Sequence, residues 1–551
     1  MRIVTGLAAS GKTSMLLREI AEKAEANRGR QILLVPELNS HQMERRLAAA
    51  THNHGARTAE VLTFSRLADR VFAVVGGLAQ QMLTPAGQLL TLQEAARRVQ
   101  VGLTAWSGLA DKPELLSETL ALIDECKSCM IEPETLFRAS KESALDEDAA
   151  LSAKLCDLAQ ILTQYDSLCE ETLPDPRDRL THLRDGLAES HVLDGAEVYL
   201  DGFLSYTPQE LAIIEVMLSS GVPLTAAVTC DVELPDVFVT GCRTLRTLTR
   251  MAERCSRRPE LVDLGAGKMP RPAGLAAVAN EALLPVRQAH EDASGVRLYE
   301  AASPFDECEH AAAYIRRKVR DEGAHYRDFV IAARDIGPYS ASLAMAMGRY
   351  DIPMFLADKP DLLSRPPMAL VIGALESVRS NFGCRELFGC LKTGLTGLAW
   401  DEIDRLENYA ITWKIHGAAW ERDWVEHPDG YGIPVDEAAQ MQLDELNELR
   451  ARAIAPFAAL RERLKGEQPS AECVRALYDF LLAVDAPRRM EERAAEHDAA
   501  GRLQLADEYR QLWEILVSAM EQFAWVRGDM PLTLDRFAQL FRLVLSGYSV
   551  G

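Results

Sequence analysis

Near its N-terminus the chain reads Gly6-Leu7-Ala8-Ala9-Ser10-Gly11-Lys12-Thr13, a complete GxxxxGK[ST] phosphate-binding loop. The loop follows the short apolar run Arg2-Ile3-Val4-Thr5 and precedes an apolar helical stripe, which is the strand, loop and helix order that such loops require. Glycine at both ends lets successive backbone N–H groups face a phosphate. The pattern assigns Lys12 to the β- and γ-phosphates and the Thr13 hydroxyl to Mg²⁺. We therefore predict that this loop binds ATP with Mg²⁺, and the alternative is a structural turn that happens to contain glycine.

The composition is that of a globular chain, with 551 residues of which 48% are hydrophobic. No stretch approaches the ~18 uninterrupted apolar residues of a membrane span, and the N-terminus lacks the residue order of a secretion signal. We therefore expect a cytoplasmic protein without a membrane partner. The net charge is −22, from 82 acidic and 60 basic residues, so any contact with DNA has to come from a local basic surface.

Two short spacings resemble metal ligands. Cys126 and Cys129 form a CxxC inside a helical pattern, and His52 and His54 lie in a loop that ends in glycine. No second CxxC accompanies the first, so ordinary helix thiols are favoured over a metal or redox site, and the histidines are treated in the same way.

Apolar, β-branched runs recur along the first half of the chain, each followed by helix or loop signals. Such spacing predicts a parallel sheet with helices on both faces. The predicted first domain comprises residues 1–78 and 190–290, and residues 79–189 form a helical insertion within it. The predicted strands are Ile3–Thr5, Ile32–Val35, Val61–Phe64, Val198–Leu200 and Leu224–Thr229.

A second α/β unit is predicted to begin in residues 294–365. Its strands would be Val296–Glu300, Asp328–Ala333 and Met354–Leu356, with a helix at Asp306–Glu322. Residues 366–551 read as helical and are predicted to be an insertion in this second domain. The expected fold class is therefore α/β, with two parallel-sheet domains and large helical insertions.

A carboxylate is needed beside the phosphate loop to hold Mg²⁺, and hydrolysis usually needs a second one to orient water. Asp201 ends the predicted strand Val198–Leu200 and supplies the first, with a simple strand-end turn as the alternative. The next residue is Gly202, and no further carboxylate follows until Glu210. This pattern favours binding of Mg-nucleotide over its turnover. Arg334, at the end of another predicted strand, is a candidate for the γ-phosphate, or else an ordinary exposed arginine.

Several blocks together resemble the AddB family, which supplies one of the two subunits of bacterial AddAB helicase-nucleases. They are the loop Gly6–Thr13, Leu34-Val35-Pro36-Glu37, Val61–Ala68, Leu200–Phe203 with Thr207–Glu210, Cys390–Gly394, and Leu406–Tyr409 with Gly417 and Trp420. The resemblance covers nearly all of the chain.

The resemblance implies a superfamily 1 helicase scaffold of two RecA-like domains whose motor has degraded. It also implies a heterodimer with an AddA-type subunit, action on single-stranded and double-stranded DNA ends, and repair of double-strand breaks by homologous recombination. Members of the family scan single-stranded DNA for the Chi sequence and carry a C-terminal nuclease domain held by a 4Fe-4S cluster. This chain is about half the family's length, so we expect an N-terminal portion without the nuclease domain, and its eleven cysteines show no clustered ligand spacing.

The DNA-contact candidates lie after predicted strands, where open α/β sheets bind their ligands. Phe64 is predicted to stack on a base, Arg66 to pair with phosphate or a base edge, and Ser40 to hydrogen-bond the DNA backbone. The alternative places Phe64 in the core and makes Arg66 a helix-start cation. Two other functions stay open: an autonomous superfamily 1 ATPase or helicase, and a P-loop small-molecule kinase.

Overall fold

The computed structural model describes residues 1–51, 58–145, 148–265, 271–281, 289–356, 362–528 and 530–548. His52 and His54, the histidine pair noted above, lie outside the described residues. The chain divides into two compact units, one of residues 1–266 with 361–550 and one of residues 267–360. None of the helices in the described part is both long and apolar enough to cross a membrane.

Six parallel strands form one sheet in the first unit, in the order β3-β2-β4-β5-β1-β6. The five predicted strands are confirmed to within two residues, except that Phe64 starts a helix instead of ending a strand. The sixth strand was not predicted, because it is a short, mostly exposed edge strand with acidic residues at both ends. The strands are β1 (Arg2–Gly6), β2 (Arg30–Leu34), β3 (Ala59–Leu62), β4 (Ala196–Leu200), β5 (Leu224–Thr229) and β6 (Glu260–Asp263).

Helices cover both faces of this sheet, and alternate strand residues supply the two cores. On one face Val4, Leu33 and Tyr199 pack with helices α1 and α2, and on the other Ile3 and Ile32 pack with α3, α8, α9 and α10. This arrangement confirms the predicted α/β class for the first unit. The helices are α1 (Lys12–Glu25), α2 (Ser40–Ala50), α3 (Phe64–Val75), α8 (Arg179–Ser190), α9 (Pro208–Ser219) and α10 (Val239–Arg254).

Residues 79–189, the predicted helical insertion, contain helices and no strand among the described residues. Its helices α4 to α7 lie between α3 and α8 and enclose their own core around Leu92, Ile123, Leu162 and Tyr165. Their bounds are α4 (Pro85–Val99), α5 (Pro113–Ser128), α6 (Pro133–Leu145) and α7 (Ala149–Glu171).

The C-terminal helices pack on this insertion. Ala86 and Leu90 of α4 enter the C-terminal core, and the Tyr548 hydroxyl donates to Thr84 Oγ1 at 3.0 Å. Residues 361–550 thus belong to the first compact unit, whereas the sequence had placed residues 366–551 in the second domain. The reason is that α4 presents apolar residues on two faces, and hydropathy along one segment does not say which partner will cover them.

The C-terminal region contains eight helices and two short antiparallel strands among the described residues. The helices are α14 (Pro366–Arg379), α15 (Cys384–Leu391), α16 (Trp400–Thr412), α17 (Glu437–Arg463), α18 (Ser470–Ala483), α19 (Ala486–Ala499), α20 (Leu503–Arg527) and α21 (Leu534–Ser546). The strands are β7 (Glu467–Pro469) and β8 (Pro531–Thr533).

The second unit differs from its prediction. Its described residues form the helices α11 (Ala273–Glu281), α12 (Pro304–Glu322) and α13 (Gly337–Arg349), which includes the predicted helix, but no strand. The prediction of strands at 296–300, 328–333 and 354–356 is therefore wrong. A strand forms only with a hydrogen-bonded neighbour, and these segments find none among the described residues. A second RecA-like sheet is therefore not established.

Candidate nucleotide site and nucleic-acid surface

The phosphate loop connects β1 to α1 with the backbone that its glycines allow. Gly6 has φ of +148°, and a Cβ added there would lie 2.6 Å from Ser10 Oγ and 3.2 Å from the Gly265 carbonyl oxygen. Gly11, at the N-terminus of α1, has the left-handed φ of +96°, and Ala9 has φ of +62°. A side chain at Gly6 would force the loop apart, so close backbone approach is the physical reason for this glycine.

Lys12 is buried within the loop, with 9% of its surface exposed. Its Nζ donates to the carbonyl oxygens of Gly6 at 2.7 Å and Leu7 at 2.8 Å, and lies 3.5 Å from Ser10 Oγ. Burial lowers the pKa of the Lys12 ammonium, while nearby Asp201 and Cys230 act to raise it. The positive charge is thus held at the mouth of the loop, where a phosphate would gain most from it.

Asp201 follows β4 and is 4% exposed. Its backbone N–H donates to the Leu34 carbonyl oxygen at 3.1 Å, which holds it at the carboxyl edge of the sheet. Burial raises the pKa of this carboxyl group. Hydrogen bonds from the Thr13 side chain and the Gly202 backbone, and the positive charges of Arg46 and Lys12, act to lower it. The fold therefore brings together Thr13 and Asp201, the two residues that the sequence assigned to Mg²⁺.

This arrangement fits a Mg-nucleotide. Hydroxyl and carboxylate oxygens are the ligands that Mg²⁺ prefers, and it keeps several waters beside them. A bound cation would also offset the cost of burying the Asp201 charge. Lys12 and the N-terminus of α1 would hold the phosphates. The backbone of the loop between Gly6 and Gly11 is that of Leu7, Ala8, Ala9 and Ser10.

Sequence reasoning missed Arg46 at this site. Arg46 lies on α2, exposed, and its guanidinium is close enough to lower the pKa of Asp201. No motif marks it, because its position depends on the packing of α2 beside α1 over one face of the sheet. Only the tertiary structure could therefore identify Arg46 as a cation near the carboxylate.

The position directly after Asp201 carries no carboxylate, and Glu210, the next carboxylate along the chain, is engaged elsewhere. Gly202 has φ of +84°, and a Cβ there would lie 3.3 Å from both Pro36 Cδ and Asn39 Nδ2. Glu210 is engaged in a capping box: its Oε2 accepts the Thr207 N–H at 2.8 Å, and Thr207 Oγ1 accepts the Glu210 N–H at 3.2 Å. Burial raises the pKa of Glu210. Its carboxylate thus serves to start α9.

The three DNA-contact candidates differ in accessibility. Phe64 is 5% exposed and packs edge-on against Phe203 with ring centroids 5.7 Å apart. Stacking on a base needs a free ring face, so the core alternative describes Phe64 and the predicted stacking is not supported. Arg66 is half exposed and forms an ion pair with Glu44, and the Ser40 hydroxyl donates to the Glu37 carbonyl oxygen at 3.0 Å.

Two other predictions concern groups away from the loop. Arg334 lies in the second unit with its side chain exposed, and its role toward the γ-phosphate stays a prediction. Cys126 and Cys129 are free thiols of α5 and its C-terminal end. Within the described residues no three metal-ligating side chains gather, so the cysteines present do not fit a 4Fe-4S cluster.

A family model and individual proteins both show similarity to this chain. Residues 3–268 match the family model described as ADDB, N-terminal. The whole chain is similar to proteins that are named as a subunit of an ATP-dependent helicase/deoxyribonuclease. Identity is 30% to that of Acetivibrio thermocellus, 31% to that of Desulforudis audaxviator and 29% to that of Clostridioides difficile. These alignments cover 99 to 100% of this chain and 49% of each relative, so the chain spans about half the length of the curated relatives it matches.

Proposed function

Residues 3–268 of this chain belong to the AddB N-terminal family, and from this premise we propose that the chain is the nucleotide-binding, DNA-contacting part of a helicase-nuclease complex. In this role it binds Mg-ATP at the loop Gly6–Thr13 and hydrolyses it slowly or not at all. It contacts single-stranded DNA, which it scans for the Chi sequence during recombinational repair. An AddA-type subunit supplies the motor.

The observation that carries the nucleotide part is the convergence of Lys12, Thr13 and Asp201 at one edge of the sheet. When bound, Mg²⁺ would neutralise phosphate charge there. Lys12 would leave the loop carbonyl oxygens and bind the phosphates, and the backbone N–H groups of residues 8–13 would donate to the remaining phosphate oxygens. These steps bind and orient a nucleotide and need no second carboxylate.

The observation that supports slow turnover is the engagement of Glu210, the next carboxylate along the chain after Asp201. Glu210 caps α9, and the position after Asp201 has a backbone that favours glycine. Neither of these two positions would therefore supply the base that usually orients a water molecule beside the γ-phosphate. Bound ATP would stabilise one conformation of the chain instead of driving movement.

Calorimetric titration with Mg-ATP tests the nucleotide site. Lys12→Ala should lower the affinity at least tenfold, because it removes the point charge on the β- and γ-phosphates. Lys154→Ala, at an exposed lysine of α7, is the matched control and should leave the affinity unchanged. Equal affinity for wild type and Lys12→Ala would mean that the loop is only structural.

An autonomous DNA-dependent ATPase is the second candidate, and the hydrogen-bonded pair Thr13 and Asp201 favours it. Steady-state hydrolysis with and without single-stranded DNA separates the two. DNA-stimulated turnover that disappears in Lys12→Ala would establish the autonomous enzyme and exclude the slow motor.

A further inference from the structure

Helix α10 carries a row of arginines on its solvent side. The row consists of Arg243, Arg246, Arg250 and Arg254, whose spacings of three, four and four residues place them on one helical face. The opposite face is buried against the sheet through Leu245, Leu248 and Met251. At a rise of about 1.5 Å per residue, the row spans about 16 Å.

The first three arginines of this row have no acidic partner. Arg254 forms an ion pair with Glu215 at 3.1 Å, whereas Arg243, Arg246 and Arg250 are exposed and make no ion pair with any described residue. The segment from 243 to 258 holds six arginines and a single acidic residue, within a chain of net charge −22. The row is therefore a local exception to an acidic surface.

This row does not stabilise the helix. Like charges three or four residues apart on a helix repel each other by a few tenths of a kcal/mol per pair, roughly 0.2–0.5. Other arginines of the first unit do have acidic partners: Arg97 forms an ion pair with Glu94, and Arg461 forms one with Glu421. Three unpaired arginines in a row thus point to an anionic ligand outside the chain.

The row begins at the carboxyl edge of the sheet. A Cβ at Gly241 would lie 2.1 Å from the Thr229 carbonyl oxygen, so the first turn of α10 packs directly on the end of β5. The Thr244 hydroxyl donates to the Leu204 carbonyl oxygen at 3.0 Å, which ties α10 to the loop after Asp201. Arg243 therefore lies at the edge that holds the nucleotide residues, and Arg246 and Arg250 continue away from it.

We propose that Arg243, Arg246 and Arg250 bind consecutive phosphates of single-stranded DNA along the solvent face of α10. The inference rests on the proposed function, which places single-stranded DNA on this chain, and it names the surface that holds the backbone. Guanidinium groups suit phosphate because their N–H donors match two phosphate oxygens at once. Such contacts fix the path of the strand and read no base.

An exposed leucine beside the arginine row favours single-stranded DNA over duplex DNA as the ligand. Leu204, tied to Thr244 through its carbonyl group, is 73% exposed at the start of the row. An apolar side chain there can contact unstacked bases, which a duplex keeps inside. A duplex is a poorer ligand for this surface.

Fluorescence anisotropy with a labelled oligo(dT) at a series of salt concentrations tests the row in the full chain. The variant is Arg243→Gln/Arg246→Gln/Arg250→Gln, which should bind about tenfold or more weakly at roughly 50 mM salt. The slope of log affinity against log salt should flatten by about 2, because each single-strand phosphate contact releases roughly 0.7 counterion. Arg→Lys at the same three positions should retain most of the slope.

The matched control removes three exposed basic residues of the helical insertion that form no ion pair with any described residue, as Arg138→Gln/Lys141→Gln/Lys154→Gln. It changes the net charge equally, so an effect of bulk charge would appear in both variants. The control should keep the wild-type slope, and both variants should unfold thermally at or above the temperature of wild type, because each change removes like charges from a helix.

Three outcomes would overturn the proposal. If wild type binds oligo(dT) and both variants lose the same slope, the row is not the DNA path, although the proposed function stands. If wild type does not bind oligo(dT) at all, the DNA part of the proposed function fails as well. If the row variant keeps its DNA affinity but no longer joins the other subunit of the helicase-nuclease, the row contacts an acidic protein surface.

Discussion

Gly202 shows how a single residue can restrict chemistry through its backbone. Its φ of +84° lies in the left-handed region, and a Cβ would press on Pro36 and Asn39 at 3.3 Å. We predict that Gly202→Glu lowers the free energy of unfolding by about 1–2 kcal/mol and does not increase the rate of ATP hydrolysis. Urea unfolding and an ATPase assay measure both effects.

Gly202→Ala is the control, because it has the same backbone strain without the carboxylate. It should lose as much stability as Gly202→Glu. Rapid hydrolysis in Gly202→Glu, and not in wild type or Gly202→Ala, would contradict this prediction and show that a carboxylate at this position is sufficient for turnover.

Asp201 is a buried acid whose folded-state pKa is raised by burial. Asp201 therefore takes up a proton at higher pH in the folded chain than in the unfolded chain, and its own contribution to stability without nucleotide rises as pH falls from neutral through this folded-state pKa. Asp201→Asn removes the buried charge and still accepts hydrogen bonds from Thr13. We expect this variant to be at least as stable as wild type at about pH 7.

The measurement is urea unfolding of both proteins without Mg²⁺ between about pH 7 and pH 4. The stability difference between Asp201→Asn and wild type should shrink toward the acidic end, where wild type becomes protonated. A lower stability of Asp201→Asn at neutral pH would contradict this account. Its binding of ATP should also lose its dependence on Mg²⁺.

At the scale of elements, a buried ion pair connects helices α4 and α20. Arg527 is 6% exposed, and its Nη1 lies 3.4 Å from Glu94 Oε2. Burial lowers the pKa of Arg527 to about 10, although Glu94 opposes this. We predict that Glu94→Gln costs about 3 kcal/mol of unfolding free energy, since it leaves a buried guanidinium unpaired.

Arg527→Met provides the comparison for this pair. An apolar side chain at that position removes the charge that needs a partner, so its cost should be smaller than that of Glu94→Gln. In the Arg527→Met background, Glu94→Gln should cost less than it does alone, and chemical denaturation of the four proteins completes the cycle. Additive costs would show that the two charges do not interact.

Elements were predictable where the pattern was strong and local. The apolar runs of β1, β2, β4 and β5 and the helical stripe after Lys12 are sufficient to define those elements, because each buries its own apolar residues against a neighbour. The edge strand β6 lacks such a run. The three segments predicted as strands in residues 294–365 have the pattern but no hydrogen-bonded partner among the described residues.

At the scale of the whole molecule, the two units differ in the size of their cores. Among its described residues, the second unit has seven buried apolar residues around Ala312 and Leu343, and it leaves Val330 and Phe355 about nine-tenths exposed. We predict that backbone amides of α12 and α13 exchange with solvent deuterium well before those of β1, β4 and β5, since few buried contacts oppose local opening. Hydrogen exchange followed by mass spectrometry measures this order.

The outcome that would contradict this prediction is equal protection in the two units. The matched comparison is α14 and α18, which are helices of similar length in the large C-terminal core. They should exchange as slowly as the sheet. Slow exchange in α12 and α13 would mean that a partner covers the exposed residues.

The sequence by itself determined the GxxxxGK[ST] loop, the sheet that carries it and the placement of Thr13 beside Asp201, the pair that we propose holds Mg²⁺. These features depend on short spacings and on strand ends that local apolar patterns mark. It also determined the resemblance to AddB, which the family comparison confirms for residues 3–268. Only the tertiary structure decided that Phe64 is core, that Glu210 caps a helix, and that α10 presents unpaired arginines. These features depend on which distant residues come into contact, and a side chain becomes available for binding only when packing leaves it without a partner.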